Sequence, residues 1–216
     1  MHIPNRIILT GQSIYLRQQS HVDCLKQFSA VHPEGEVVFY GAKDAREFMA
    51  ARCPEMLPVW EDFEWIEHRN TLVALLVMLE LGGFYFHSSM WLEQSLDELR
   101  GCGLVLGQSG EFSALEYEEI YGEAAASDAQ RWTVTVDGFG CAPGHWFVRA
   151  ALANFLSVAQ EQEVLRTGLD SGRQEPTFLS MTYAAEVGRF TEAEQVLKRP
   201  AETMMTAFGR YGTRIA

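Results

Sequence analysis

The stretch from Thr71 to Leu81, TLVALLVMLEL, is apolar on nearly every side of the helix that its leucine, methionine and alanine content favours. Such a helix is stable in water only where protein surrounds it. The apolar run from Leu72 to Leu81 is too short to cross a bilayer, which takes ~20 apolar residues. The chain must therefore build a core around this segment. Gly82-Gly83 supplies a left-handed stop directly after it, and Phe84-Tyr85-Phe86 then reads as a buried strand.

The flanking sequence has the alternation that a layered α/β domain needs. Ile7 to Leu9 and Glu36 to Tyr40 (EVVFY) are short apolar runs ending at Thr10-Gly11 and Gly41, read as buried parallel strands. His21 to Val31 between them has helical spacing. AKDAREFMAARCPE follows the second run and places Ala45, Phe48, Met49 and Ala51 or Arg52 around a helix stopped by Pro54. Gly101 to Gly107 and Arg131 to Val136 read as further strands. GHWFVRAALANFLSVAQ reads as a long amphipathic helix, and TEAEQVL as the start of another, with Thr191 and Glu194 spaced as a capping box. His87 to Ser89 fall at or just past the carboxyl end of a strand, where open α/β sheets bind ligands. With 216 residues and no internal repeat or low-complexity linker, the expectation is one domain over 1–216 with a mostly parallel central sheet flanked by helices.

Charge and cysteine usage narrow the function. The formal net charge is −12, and the acidic stretch Glu116 to Glu123 (EYEEIYGE) has no basic run to offset it, so nucleic acid is not expected as a partner. That stretch reads as a solvated face or loop. Cys24, Cys53, Cys102 and Cys141 are scattered without C-x-x-C spacing, which points to buried thiols rather than zinc or redox chemistry. The opening MHIPNRIILTG lacks the layout of a secretory signal. The expectation is a cytoplasmic protein with no membrane anchor in this chain and with a small-molecule substrate; the oligomeric state is left open.

HIPNRIILTG, the block from Val37 to Leu99, and GFGCAPGHWFVRAAL resemble, in order, the glycosyltransferase family 32 type related to yeast initiating mannosyltransferases. The resemblance is strongest over residues 3–155 and leaves 156–216 as a C-terminal helical part. It implies a single GT-A-like (Rossmann-like) nucleotide-sugar transferase fold with a D-x-D loop. The family opens on I-P-K-x-I-H-Q and continues with R-x-D-L-x-R-Y, an apolar stretch and Y-G-G-x-Y-x-D-x-D. This chain keeps Ile3, Pro4, Arg69, Leu72, Gly82, Gly83, Tyr85 and Leu96-Asp97-Glu98-Leu99 of that frame.

It departs from the frame where the charges stand. His87 and Ser89 occupy the positions of the D-x-D carboxylates, and Thr71 and Ala74 those of the helix Asp and the second Arg. Paired carboxylates hold Mn²⁺ or Mg²⁺, which neutralises the diphosphate leaving group of a sugar donor. One imidazole and two hydroxyls are a poor site for a hard cation, so neither a metal nor a cofactor is expected. Near this loop only Arg69 and His68 offer positive charge. His87 is the candidate catalytic acid or base, against a hydrogen-bonded structural histidine. The candidate substrate contacts are Ser88, Ser89, Trp91, Arg69, Thr71, His145 and Trp146. The bland alternatives are a chain turn at Ser88-Ser89, core packing at Met90 and Trp91, and a surface cap at His145-Trp146. Tyr85 reads as core and Asp137 as a turn residue; Glu175, before Pro176, is a further pocket acid on position alone.

Three functions of different classes follow. The cleft can have lost its donor site and handle a small, largely apolar molecule by isomerisation, cyclisation or pericyclic rearrangement. The chain can be a glycosyltransferase that works without a metal. It can also be a catalytically silent partner of a related transferase or a glycan.

Overall fold

The computed structural model describes residues 2–11, 19–63, 66–87, 90–111, 132–160, 178–197 and 212–214. Its strands are β1 Arg6–Thr10, β2 Glu36–Tyr40, β3 Gly83–Phe86, β4 Met90–Leu92, β5 Leu104–Glu111, β6 Trp132–Cys141, β7 Glu194–Leu197 and β8 Gly212–Arg214. The helices are α1 Gln19–Val31, α2 Ala42–Arg52, α3 Leu57–Asp62, α4 Ile66–Leu81, α5 Trp146–Gln160 and α6 Phe178–Glu186. The main sheet has six strands in the order β2-β1-β3-β6-β5-β7, and β4 pairs with β8 in a small separate ribbon. Both β2 and β3 run parallel to β1, and β7 runs parallel to β5. Only β6 runs antiparallel to its two neighbours. The sheet is mostly parallel, as its apolar runs predict.

The order of the first three strands sets the ligand end of the molecule. The chain leaves β1 for β2 on one side, then returns to β3 on the other, which makes the carboxyl ends of β1 and β3 a topological switch point. Strand alternation sends Ile8 and Tyr85 to one face and Ile7, Leu9, Phe84 and Phe86 to the other. The first face is covered by α2 to α6. The second is covered by α1, through Phe28 stacked on Phe86 at 5.5 Å, and by β4 with the turn at Asp97–Leu99.

The all-round apolar helix is central. Every residue from Leu72 to Met78 is buried, and each large apolar side chain there contributes about 1.5–3 kcal/mol. Its end depends on two glycines. Gly82 sits at φ +62° and Gly83 at φ +124°; a Cβ on Gly82 would lie 2.7 Å from the Pro143 nitrogen, and one on Gly83 would lie 2.8 Å from the Arg6 carbonyl oxygen. The Gly144 N–H closes the joint by donating to the Leu79 carbonyl at 2.7 Å.

The segment TEAEQVL is a correction. One half of the capping box forms: Glu194 Oε2 accepts from the Thr191 backbone N–H and from its hydroxyl, both at 2.6 Å, while Thr191 Oγ1 accepts from the Ala193 N–H instead of that of Glu194. These contacts close a turn rather than open a helix, because Glu194–Leu197 finds the edge of β5 and extends the sheet as β7. The C-terminal part is therefore not helical throughout: α6 is followed by β7 and β8. Cys53, Cys102 and Cys141 are buried free thiols, and burial pushes the Cys53 thiol up to about 11. Among the described residues no helix is long and apolar enough to cross a membrane.

Candidate functional site

A small open cleft lies beyond the carboxyl ends of β1 and β2. Its floor is Gly11 and Gly41, one wall is Tyr40 with Ala42 and Ala45, and the other is Trp60 with Ile66, Arg69, Asn70 and Val73 of α4. The i, i+3/i+4, i+7 spacing of those α4 residues puts them on one stripe of the helix. Tyr40 reaches the cleft as the last residue of β2. Burial pushes its phenol up against the opposing charge of Arg6, with the Glu36 and Asp44 carboxylates adding to the rise, so it stays protonated at neutral pH.

Arg69 is fixed by backbone. Its Nε donates to the Phe63 carbonyl at 2.7 Å and its Nη2 to the Glu61 carbonyl at 3.0 Å. These carbonyls lie at the end of α3, where a helix leaves its last acceptors without partners. The guanidinium also lies 5.4 Å from the centre of the Trp60 ring, and that of Arg46, paired with Glu61 at 2.9 Å, lies 5.8 Å from the same ring. Two cations flanking one indole hold its plane in place. Trp60 is 5% exposed, and its Nε1 has no hydrogen-bond partner among the described residues.

His87 follows β3 directly, and its neighbour Phe86 registers with Leu9 of β1, so His87 stands at the same edge of the sheet as the cleft. It is exposed, and its carbonyl accepts from the Met90 N–H at 2.9 Å, closing the turn into β4. Ser88 and Ser89 lie outside the described residues, as do Glu175 and the acidic stretch 116–123. Trp91 is placed by its backbone within β4, paired with Thr213. Just below the strand ends, the buried Thr10 and Tyr85 hydroxyls lie 3.2 Å apart. Thr71 is half-buried on α4 and does not line the cleft. His68 packs its ring edge-on against Phe63 and Phe155.

His145 and Trp146 are not brought to this end. They follow Cys141, which registers with Gly83 at the start of β3, the opposite edge of the sheet from His87. His145 is fully buried and caps α5: its Nδ1 accepts from the Phe147 N–H at 3.2 Å, which places the ring proton of the neutral form on Nε2. Nε2 faces Glu194 Oε1 at 3.4 Å in an electrostatic contact rather than an aligned hydrogen bond. Burial pushes the His145 pKa down, against the opposing pull of Glu194. Trp146 packs against Phe147 and Phe190, with the Arg189 guanidinium 4.4 Å from its ring centre.

Of the residues proposed from the sequence, Arg69 lines the cleft and His87 stands at the same edge of the sheet outside its described lining, while Tyr40, Trp60 and Asn70 line it without having been proposed. Tyr40 was within reach as the final residue of a run ending at Gly41. Trp60 sits in a short helix with no apolar period, and nothing in LPVWEDF signals a wall. Among the described residues, no group of three or more histidine, cysteine, aspartate or glutamate side chains is placed to hold a metal ion.

No protein family's sequence model matches the chain, and no curated protein matches it. Solved structures do. The PaToxG glycosyltransferase superposes with a TM-score of 0.52 at 12% identity, over 87% of this chain and 71% of that one. The galactosyltransferase LgtC, in complex with donor and acceptor sugar analogues, gives 0.45 at 15% identity, over 88% and 72% of the two chains. Mouse xyloside xylosyltransferase 1 gives 0.46 at 8%, over 89% and 84%. The likeness to PaToxG is one of fold: this chain has a GT-A-like glycosyltransferase architecture.

Proposed function

We propose that this glycosyltransferase-like protein descends from a D-x-D transferase of the family 32 type, has lost the metal and nucleotide-sugar site, and uses its strand-end cleft on a small, largely apolar molecule. The observation that carries this reading is the placement of His87, rather than a carboxylate, at the end of β3 on the switch-point edge. Ala42, Ala45, Ile66, Val73 and Trp60 supply apolar wall to the cleft, and Arg69 is the one cation among its described lining residues. A diphosphate carries more negative charge than one guanidinium offsets, in a chain of net charge −12. The chemistry that fits is isomerisation, cyclisation or pericyclic rearrangement. The cleft holds a reactive conformer and His87 exchanges a proton or a hydrogen bond with a heteroatom.

Thermal denaturation tests it. A ligand at a hundred times its Kd stabilises by ~2.7 kcal/mol, and each kcal/mol moves Tm by roughly 2–4 °C in a domain of this size. UDP, GDP and their sugar conjugates with millimolar Mn²⁺ or Mg²⁺ should leave Tm unchanged. A shift of several degrees with any of them defeats the reading. A second reading, glycosyl transfer without a metal, is favoured by the position of Arg69 in the cleft wall; a nucleotide shift that survives EDTA selects it.

A further inference from the structure

We infer that the molecule received by the cleft is an organic carboxylate, its oxygens held by the end-on edge of Arg69 and by the indole N–H of Trp60. This rests on the reading of the cleft as a small-molecule site and names the class of molecule.

Two observations point the same way. Arg69 spends Nε and one proton of Nη2, the side-on edge of its guanidinium, on the Phe63 and Glu61 carbonyls. The end-on edge, Nη1 with the second Nη2 proton, has no hydrogen-bond partner among the described residues and belongs to a side chain that lines the cleft. An arginine edge presents paired, coplanar donors, the geometry that a planar carboxylate accepts. Independently, Trp60 lines the same cleft, is 5% exposed, and buries its N–H without a partner among the described residues. A buried indole N–H usually finds an acceptor, and this one belongs to a ring that lines the same cleft as Arg69, with the guanidinium 5.4 Å from its centre.

The sign of the site fits one negative charge. No lining residue among the described ones is acidic, and Arg46, the second cation beside Trp60, is already paired with Glu61. The apolar body of the guest then lies against Ala42, Ala45, Ile66 and Val73.

The test uses 3-phenylpropanoate, its amide and 3-phenylpropyl phosphate as probes, with titration calorimetry and the ¹⁵N-indole NMR resonance of Trp60, assigned by its loss in Trp60→Phe. The carboxylate should bind at least ~10-fold tighter than the amide and move the Trp60 N–H resonance. Trp60→Phe, which keeps the ring and drops the donor, should weaken the carboxylate by ~10-fold or more and the amide little. Equal affinity for carboxylate and amide, a Trp60 resonance that does not move, tighter binding of the phosphate, or no binding of any probe at millimolar concentration overturns the inference. The first of these outcomes leaves the small-molecule reading of the cleft standing, whereas displacement of the probe by UDP with Mn²⁺ removes that reading itself.

Discussion

The Nε2 atom of His145 lies 3.4 Å from Glu194 Oε1, with both side chains almost fully buried. The pair joins the first turn of α5 to the start of β7, at the edge of the sheet opposite the cleft. The neutral imidazole does the capping, and its Nδ1 can accept the Phe147 N–H only while unprotonated.

Stability should therefore depend on pH. Burial pushes His145 below its ordinary value of 6.5, and it pushes His32 down as well, with Asp97 opposing and Arg100 adding to the drop. As pH falls, the unfolded chain takes up these protons first. Stability that is fully present above about pH 6.5 is lost as pH falls through the folded-state values, by at most about 1.4 kcal/mol per pH unit for each histidine. Urea midpoints should be flat between about pH 7.5 and 8 and fall toward pH 5.5. His145→Asn, which keeps an N-cap side chain, should remove part of that slope; an unchanged slope would clear His145.

The glycines grade themselves by surroundings. Gly82→Ala places a Cβ 2.7 Å from the Pro143 nitrogen at φ +62°, and should cost about 2–4 kcal/mol by urea denaturation. Gly144→Ala, at φ +68° with open space around it, should cost about 1–2 kcal/mol. Gly101→Ala, with open space and no positive φ, should fall within about 0.5 kcal/mol of the parent. Equal losses at Gly82 and Gly144 would mean that the contact with Pro143 is absorbed by movement.

Removing one phenol oxygen probes the floor beneath the strand ends. Tyr85→Phe leaves the buried Thr10 hydroxyl without its 3.2 Å partner and should cost about 1–3 kcal/mol. The double variant Tyr85→Phe with Thr10→Val should recover much of that loss. Additive losses in the two variants would deny a coupling.

At His87 the fold and the chemistry should separate. The side chain is exposed, so His87→Ala should move Tm by no more than about 2 °C. Turnover of the cleft's substrate should fall by ~10²-fold or more, and His87→Gln should recover part of it if a hydrogen bond suffices. Turnover of the alanine variant within a few-fold of the parent would make His87 a structural residue.

Much of the architecture was legible because burial writes itself into periodicity. An all-round apolar segment such as Leu72–Met78 has nowhere else to go, and a Gly-Gly stop marks its end whatever the tertiary context. Direction is different. The apolar pattern of Trp132–Cys141 is that of a strand but carries no sign of its antiparallel run. The capping-box spacing at Thr191 and Glu194 is a purely local signal, and a turn before a strand satisfies it as well as a helix does. The site divides along the same line. Position at a strand's carboxyl end located His87, while His145 and Trp146, at a recognisable helix start, carried no information about which edge of the sheet that start would meet. Trp60 was invisible because its role comes from Arg46 and Arg69, which reach it from two other helices.

The pairing of β4 with β8 also sets an order of events. Met90–Leu92 leaves the turn after His87 and finds its strand partner only at Gly212–Arg214. On a chain made from its amino end, β1, α1, β2 and α2 have their neighbours early, whereas β4 waits for Gly212–Arg214, more than a hundred residues on, and closes a long loop. The anchor beside His87 is thus among the last pairings available during synthesis, and a nascent chain can hold its first strands in register well before the ribbon next to its candidate acid or base exists.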